Sequence, residues 1–482
     1  MHSRILTLPS VDDPDSARFG RYREALAFYE GDQWTERSRR GETRLTVNYA
    51  RTLLRKVASY LFPAPVGFSV PPAVPGDVAS EAAAHRAEIL LAELSGQLGL
   101  GQLDLDLAIE AAVLGDAVMK VTWDATADDG LGAPVVAAVD PGAVLAWWAP
   151  DNPRRLVRVT HGYGLPGAVI AAVFQPAMTD DAPPGPVRLA DGSVRERRDG
   201  PGRPPALDPE ETYQVVEEWT EACWRVTVAG QVVRDEANPY GWIPYVIVAN
   251  NPRPHEPWGT SDLVDLIDVC RELNRRLSVL GRILDLSGAP IAVLENVDGS
   301  EGISVGPGAK WELPEGARAY LLDLLGGGGV GLHVEYINLL YRSLHDLSET
   351  PRTAFGDSGR DLSGVALEVE IQPLIQQVNR KRRGWETAFQ ARNRRLLDLC
   401  ERFSGADVAG HRRTETIWPA VLPSDTAASV RNQVQLVAAG IRSRRSAIGD
   451  LGASDPDGEL DRIADETSRF AGLSAEFVSR LP

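Results

Sequence analysis

Apolar residues recur at three- and four-residue steps over two long stretches, Gly259 to Ser287 and Ser363 to Ser404. In the first, Leu263, Leu266, Ile267, Cys270, Leu273, Leu277, Leu280 and Leu284 fall on one stripe of a helix. In the second the stripe is Ile371, Leu374, Val378, Trp385, Phe389, Leu396, Leu399 and Phe403. With a rise of about 1.5 Å per residue these helices run roughly 40 and 60 Å, more than one compact domain needs to cross its core. The pattern predicts that part of each seam packs on another subunit.

Elsewhere the period changes along the chain. Residues 1–17 carry Pro9, Pro14 and several aspartates and read as a loose leader. Helices are predicted over Phe19–Glu30, Thr46–Phe62 (stopped by Pro63 and Pro65), Ser80–Leu98 and Leu103–Leu114. From Asp116 to Asn250 the alternation is twofold, with strands predicted at Val118–Trp123, Leu156–His161, Val169–Phe174, Tyr213–Trp219, Trp224–Val228 and Ile243–Val248. That reads as a small, mostly antiparallel β unit. Within it, 175–212 is rich in Pro, Gly, Asp and Arg and reads as a surface insertion or long hairpin. Short strands at Pro290–Leu294 and Lys310–Tyr320 flank a turn-rich Asn296–Gly308, and Gly326–Gly329 is a hinge into a helix at Val334–Ser348 that Pro351 ends. Thr350–Gly364 is a polar loop. Pro373 marks either a kink or the first turn of the second long helix. A strand at Thr416–Val421 and a small helical unit at Ser424–Pro482 complete an α+β chain.

The 482 residues, 43% hydrophobic and 24% charged, suffice for a sizeable core and two to four structural units. Apolar runs such as Tyr245–Ala249 are too short to span a bilayer, and no basic flank with an apolar signal segment opens the chain, so it is expected to be cytosolic when made. The three cysteines, Cys223, Cys270 and Cys400, are far apart and read as small buried hydrophobes. A net charge of −17 disfavours tight, wrapping nucleic-acid binding, which is driven by counterion release to a basic surface.

Catalytic motifs are absent or incomplete. None of the four lysines (Lys56, Lys120, Lys310, Lys381) follows a glycine, so there is no G-K-[ST] phosphate loop. Gly326, Gly328 and Gly331 satisfy G-x-G-x-x-G, but no βαβ unit follows, which favours a hinge or turn. Gly356-Asp357-Ser358-Gly359 echoes the nucleophile loop of trypsin-like proteases, here between helices, leaving a serine hydrolase at Ser358 as a remote alternative. His333 and Glu335 form H-x-E without the P-C-x-x-C that would complete a zinc site. No cofactor or metal is expected. The cluster Arg380, Lys381, Arg382, Arg383, Arg392, Arg394 and Arg395 could face phosphates, as in a DNA-binding adaptor, but a solvated or intersubunit face balanced by Glu386 and Asp398 is favoured. Arg442, Arg444 and Arg445 read the same way.

Several stretches, taken in order, resemble the portal proteins of tailed bacteriophages, the head-to-tail connectors. Tyr29-Glu30-Gly31-Asp32-Gln33-Trp34, Val47-Asn48-Tyr49 and Leu61-Phe62 resemble the family's opening. Asn250-Asn251-Pro252, Trp258-Gly259-Thr260-Ser261-Asp262-Leu263 and Leu273-Asn274 are similar to the entry into its stem. Ser287-Gly288-Ala289-Pro290 and Val305-Gly306-Pro307-Gly308 resemble the clip. Leu347-Ser348-Glu349-Thr350-Pro351, Phe355-Gly356-Asp357 and Leu362-Ser363-Gly364-Val365-Ala366-Leu367 resemble the tunnel loop and the long helix behind it. The similarity covers about residues 19 to 470, and order and spacing carry it more than any single motif.

The resemblance implies a ring, usually of twelve subunits, at one capsid vertex of the virion, assembled in the host cytoplasm. It implies an α/β wing (18–258), stem helices (259–287 and 331–350), a small β-containing clip (288–330), a tunnel loop (351–364), a long helix with a return strand of the wing (365–423) and a helical crown (424–482). Arg352, Thr353, Phe355, Asp357, Arg360 and Asp361 become candidates for the DNA channel, and Asn296, Asp298, Glu301, Lys310 and Glu312 for clip docking of the packaging motor. Implied partners are double-stranded DNA, held transiently and without sequence preference, a separate terminase large subunit, and capsid, scaffold and head-completion or adaptor proteins, with no membrane. The expected role is passive conduction of DNA during packaging, retention and ejection, without catalysis. The insertion at 175–212 and the four-glycine hinge depart from the family pattern.

Overall fold

The computed structural model describes residues 15–37, 42–174, 187–188, 194–195, 207–254, 256–288, 292–296, 315–321, 329–357, 364–422, 426–451, 456, 458–464 and 466–467. Helix α1 (Ser16–Glu30) ends at Gly31, whose φ of 111° suits a left-handed helix cap. Helix α2 (Tyr49–Leu61) starts at Asn48, whose side chain accepts the Arg51 N–H. After the short strand β1 (Gly67–Ser69) come α3 (Val78–Gln97), capped by Asp77, and α4 (Leu100–Leu114).

Strands β2 (Asp116–Asp124), β3 (Ala133–Val139), β4 (Val144–Ala149) and β5 (Asn152–Pro166) follow. The predicted strand at Val169–Phe174 is instead helix α5 (Gly167–Phe174). Ile170 and Phe174, one turn apart, both bury against the neighbouring sheet, and Gly167 fits because a Cβ there would lie 2.2 Å from the Asp208 carbonyl oxygen. An eight-residue apolar run does not distinguish helix from strand by its period. A two-stranded pair, β6 (Val187–Arg188) and β7 (Val194–Arg195), sits in the predicted insertion, most of which lies outside the described residues.

Strands β8 (Thr212–Trp219), β9 (Cys223–Val228), β10 (Gln231–Ala237) and β11 (Tyr245–Ala249) complete two antiparallel sheets, ordered β10-β9-β8-β5-β4 and β11-β2-β3. Helix α6 (Ile267–Gly288) leads to the antiparallel pair β12 (Ala292–Glu295) and β13 (Arg318–Leu321), and α7 (Gly329–Leu347) returns along α6. Helix α6 begins later than the predicted Gly259, because 259–262 is a non-helical segment hydrogen-bonded to the end of α4 and to Asn250 just after β11. Helix α7 begins five residues before the predicted Val334, so Gly329 and Gly331 are helical.

Helix α8 (Gly364–Leu399) runs into a π-helical turn at Cys400–Ser404, with Pro373 inside the helix and not at its first turn. Strand β14 (Glu415–Ile417) returns to pair antiparallel with β1, Gly67 opposite Ile417. Helices α9 (Thr426–Ala438) and α10 (Arg444–Asp450) follow. No helix among the described residues is long and apolar enough to cross a membrane.

The principal core packs α8 against α2, α3, α4 and the three-stranded sheet. A second core at the base of the α6–α7 hairpin joins Phe28, Leu53, Leu54, Leu263, Leu266, Cys270, Leu273 and Leu344. The two predicted seams therefore differ. On α8, Ile371, Leu374, Val378, Trp385, Phe389, Leu396 and Leu399 are all buried within this one chain, and only Phe403 is exposed. That seam needs no neighbour, because Phe62, Phe68 and Trp418 fill in around Phe389. On α6 the seam is buried through Leu273, while Leu277 and Leu280 are half-buried and Leu284 is exposed. Helix α7 also carries an outward apolar stripe of Leu332, Tyr336 and Leu339. Cys270 and Cys400 are buried as expected, whereas Cys223 is only half-buried, its Sγ 3.1 Å from Asp235 Oδ1.

Candidate functional site

The segment after α7 is built on an aromatic base. Glu349 takes a φ of 51°, turning the chain, and Thr350 behind it is fully buried. His345 Nδ1 lies 2.6 Å from the Thr350 carbonyl and Nε2 lies 2.8 Å from the Tyr49 hydroxyl. The carbonyl can only accept, so Nδ1 carries the proton and Tyr49 donates to Nε2. Burial, chiefly, holds the His345 pKa below its ordinary value, with the positive charge of Arg352 adding to the effect. Burial likewise raises the Tyr49 hydroxyl, so both rings are neutral near pH 7.

Pro351 opens a single 3-10 turn, Arg352–Phe355, closed by Gly356 at φ 84°. Phe355 faces inward, 6.2 Å from Tyr49 and 5.8 Å from His345 between ring centres, with Lys56 Nζ 5.5 Å from its ring. Arg352 lies over Tyr341 at 5.4 Å and pairs with Asp357. Of the channel candidates, then, Arg352 and Asp357 are exposed and paired with each other, Thr353 is half-buried, and Phe355 belongs to the base. Arg360, Asp361 and Ser358 lie outside the described residues. Of the docking candidates, Asn296 is exposed at the end of β12 with a φ of 57°, and Asp298, Glu301, Lys310 and Glu312 lie outside the described residues. Gly326 and Gly328 lie outside them too, while His333 and Glu335 sit on the open flank of α7.

The basic cluster of α8 is not the solvated or intersubunit face expected of it. Lys381 is buried and donates to Asp262 at 2.8 Å. Arg392 is fully buried and paired with Asp104. Arg382 stacks on Trp418 and donates to the Pro419 carbonyl, while Arg395 donates to the Ile243 carbonyl and is pushed down to about 10 by burial. Glu386 and Asp398 are likewise engaged, accepting from the indoles of Trp418 and Trp242. Four of the seven basic residues are thus buried or half-buried against their own chain, and only Arg380, Arg383 and Arg394 are exposed. Charge runs on a helix read as surface because Lys and Arg are seldom buried unless paired, and the pairing partners here are distant in sequence. Arg442, two residues before α10, pairs with Asp450 at the end of that helix.

Three polar nodes at the root of the hairpin are not legible in the sequence pattern, although the motifs that build them stand out in it. In the first, Gln33 Nε2 donates to Asn48 Oδ1 at 3.0 Å and Asn274 Nδ2 donates to Gln33 Oε1 at 2.6 Å, while Asn274 Oδ1 accepts the Val47 N–H at 2.9 Å. In the second, Asn250 and Asn251 donate to Asp262, which Lys381 also grips. In the third, Tyr22 and the Gly259 N–H donate to Asp116, and Arg18 donates to Tyr22 while lying 3.7 Å over Trp258. Between the nodes, Ser261 Oγ donates to the Val113 carbonyl at 2.5 Å and the Asp262 N–H to that of Ala112 at 2.9 Å, satisfying carbonyls left over at the end of α4. Gly259 is required because a Cβ there would lie 2.2 Å from the carbonyl oxygens of both Asn250 and Gly115. The signal available was the run of small and amide residues in Asn250-Asn251 and Gly259-Thr260-Ser261-Asp262.

Such a root fixes a two-helix arm to a mixed α+β body and leads its returning leg directly into the turn at 349–357, ahead of α8. Residues 333–471 match a family model described as phage portal protein, SPP1 Gp6-like, a match that takes in most of α7, the loop, α8, β14, α9 and α10. No curated protein matches the chain. The match supports a tailed-phage portal family for this chain. That family is structural and non-enzymatic, and it implies oligomeric assembly with capsid and other phage proteins at a capsid vertex.

Proposed function

We propose that copies of this chain form a ring, with twelve subunits as the expected number, that serves as the DNA channel at one capsid vertex. DNA enters during packaging by a separate terminase motor, is retained, and leaves at ejection, while head-completion and tail proteins attach to the same ring. In this reading 18–258 with β14 is the wing, α6 and α7 are the stem, 288–330 is the clip that docks the motor, 351–364 is the channel loop, and 424–482 is the crown. The single observation that carries it is the family match from His333 to Ala471, which runs from α7 through α8 to beyond α10 in one stretch.

Two features support the reading. The hairpin root is packed and hydrogen-bonded within the chain, while the outer α6–α7 surface keeps Leu284, Leu332, Tyr336 and Leu339 exposed, a stripe suited to an identical neighbour. A net charge of −17 on each copy repels phosphate, so duplex DNA slides instead of sticking. A DNA-binding adaptor loses its footing, since the α8 cations on which it would rest are largely held by Asp262, Asp104 and backbone carbonyls.

Electron microscopy of the purified chain tests the proposal. Annular particles with a central hole are expected. A monodisperse, folded single polypeptide at all concentrations, together with producing particles that lack the chain at the tail vertex, would overturn it.

A further inference from the structure

Arg380 and Lys381 are consecutive on α8 yet grip different legs of the α6–α7 hairpin at its root. Arg380 Nη2 donates to Glu349, just past the end of α7. Lys381 Nζ donates to the two oxygens of Asp262 at 2.9 and 2.8 Å and to Asn250 Oδ1 at 2.5 Å, just before α6. The two grips differ in exposure. The side chains of Lys381 and Asp262 are 5% and 9% exposed, and those of Arg380 and Glu349 are 53% and 42% exposed.

Between the grips lies a cavity of about 300 Å³ lined by Asp262, Leu266, Leu347, Glu349, Gln377 and Arg380. Gln377 Oε1 finds no hydrogen-bond partner there. At this point α8 therefore meets the hairpin across a polar hollow bridged by two ion pairs, while beside it Ala354 shares the close-packed core of Ile371 and Leu374. Close-packed contacts resist displacement; a hollow does not. A buried pair held by further amides is costly to break, because either charge left alone would be stranded. An exposed pair is weak and is screened by salt.

We propose that Lys381–Asp262 is a fixed pivot and Arg380–Glu349 a releasable latch, so that the end of α7 and the turn at Glu349 part from α8 while the root of α6 and the core-buried Ala354 stay attached. The inference rests on the channel-ring reading for its meaning, because 349–357 leads into the proposed channel loop. A displacement of the stem would then reach the loop through the latch, with α8 as the stationary reference.

Both sides carry amides whose exchange can be read. Glu349, Thr350, Ala354 and Gly356 donate to the carbonyls of Asp346, His345, Pro351 and Thr353, and Asn250, Thr260 and Asp262 donate to those of Gly115, Asn250 and Ala112. Hydrogen–deuterium exchange of the full chain is measured at low salt and at about 1 M salt. We expect 349–350 to exchange about two- to fivefold faster at high salt, with Ala354 and 250–262 unchanged. Glu349→Gln should reproduce the acceleration at low salt and abolish its salt dependence, and the swap of R380E with E349R should restore both. Unchanged exchange at 349–350, or equal acceleration at 250–262, would overturn the latch. Exchange is read whether or not rings form, so failure of the latch and failure of the channel reading are separately visible, the latter by microscopy of the same sample.

Discussion

Arg392 on α8 and Asp104 on α4 form a fully interior ion pair, Nη1 to Oδ1 at 2.5 Å, with the guanidinium also 4.7 Å over the Phe389 ring. Burial raises the Asp104 carboxyl above its ordinary pKa even though Arg392 pulls it down. Desolvation thus outweighs attraction, and Arg392 Nη2 has no partner at all. Such a pair contributes little net stability, while removing either partner alone strands the other charge.

Arg392→Met should therefore destabilise strongly, by about 3–5 kcal/mol, because it strands a buried carboxylate. Adding Asp104→Leu should recover most of that loss. Chemical denaturation of the single and double variants measures both. A double variant no more stable than the single would refute the desolvation argument.

Asp116 and His161 give stability two opposed pH dependences. Burial is the main cause that lifts Asp116 from 3.8 to about 6, against the bonds from Tyr22 and Gly259. The folded state keeps that proton where the unfolded chain has lost it, so its contribution is complete below about pH 4 and is lost as pH rises to about 6. Burial lowers His161 from 6.5 to about 4. Here the unfolded chain takes the proton first, so stability is lost as pH falls from about 6.5 to about 4. Each effect is at most about 3 kcal/mol across its window. Asp116→Asn should leave stability rising with pH between about 4 and 6, and His161→Gln should leave it falling. Denaturation midpoints at three pH values in that range separate the two variants; parallel curves would refute the assignment.

Gly259 and Gly281 are opposite cases on either side of the start of α6. A Cβ at 259 would press on two backbone carbonyls at 2.2 Å, and one at 281 would meet nothing within 4 Å on an exposed helical face. Gly259→Ala should cost about 3 kcal/mol by overpacking. Gly281→Ala should stabilise by about 0.5–1 kcal/mol through helix propensity and a stiffer unfolded chain. Thermal unfolding of both proteins checks the sign and the contrast.

Much of this architecture is legible in the alternation of residues, and the exceptions have physical causes. The stripe from Ile371 to Leu399 and the run Val118–Trp123 appear where expected, because long periodic segments bury one face. Strands β3, β4 and β10 do not stand out, since Ala-rich β3 and charged β10 lack clear alternation. Helix α5 was masked by its uniformly apolar composition. The burial of Arg392 and Lys381 depends on Asp104 and Asp262, which are far away in the chain, and no local pattern announces such partners. The motifs Asn250-Asn251 and Gly259-Asp262 marked the hairpin root, but only the fold shows that they serve as its fastening.

Arg352 and Asp357 offer the cleanest probe of the proposed channel loop. Removing 354–360 outright would also remove Ala354 and Phe355, which pack in the interior, so loss of DNA in such a deletion would be confounded with damage to the base. Replacing the exposed pair by Ala at both positions removes charge and little packing. Such surface changes usually stay within about 0.5 kcal/mol of stability. Rings should persist while the yield of packaged DNA per particle falls severalfold. Unchanged yield would remove these two residues from the channel.

The outward stripe of α7 separates the fold of one copy from its assembly. Leu332 and Leu339 are 67% and 55% exposed, whereas Leu344, on the inward face of the same helix, is fully buried against the hairpin root. Leu344→Ala should cost about 2–5 kcal/mol in any assembly state, since it empties a packed site. Leu332→Glu with Leu339→Glu should leave the unfolding of the single chain almost untouched, yet place two extra charges wherever that stripe meets a neighbour. A carboxylate buried without a partner is expensive, and cyclic symmetry repeats the expense at every interface. Light scattering should therefore find monomers, or small open assemblies, with native circular dichroism. Intact rings in the doubly charged variant would show that the neighbouring copy contacts some other face, and the stem would have to be reassigned.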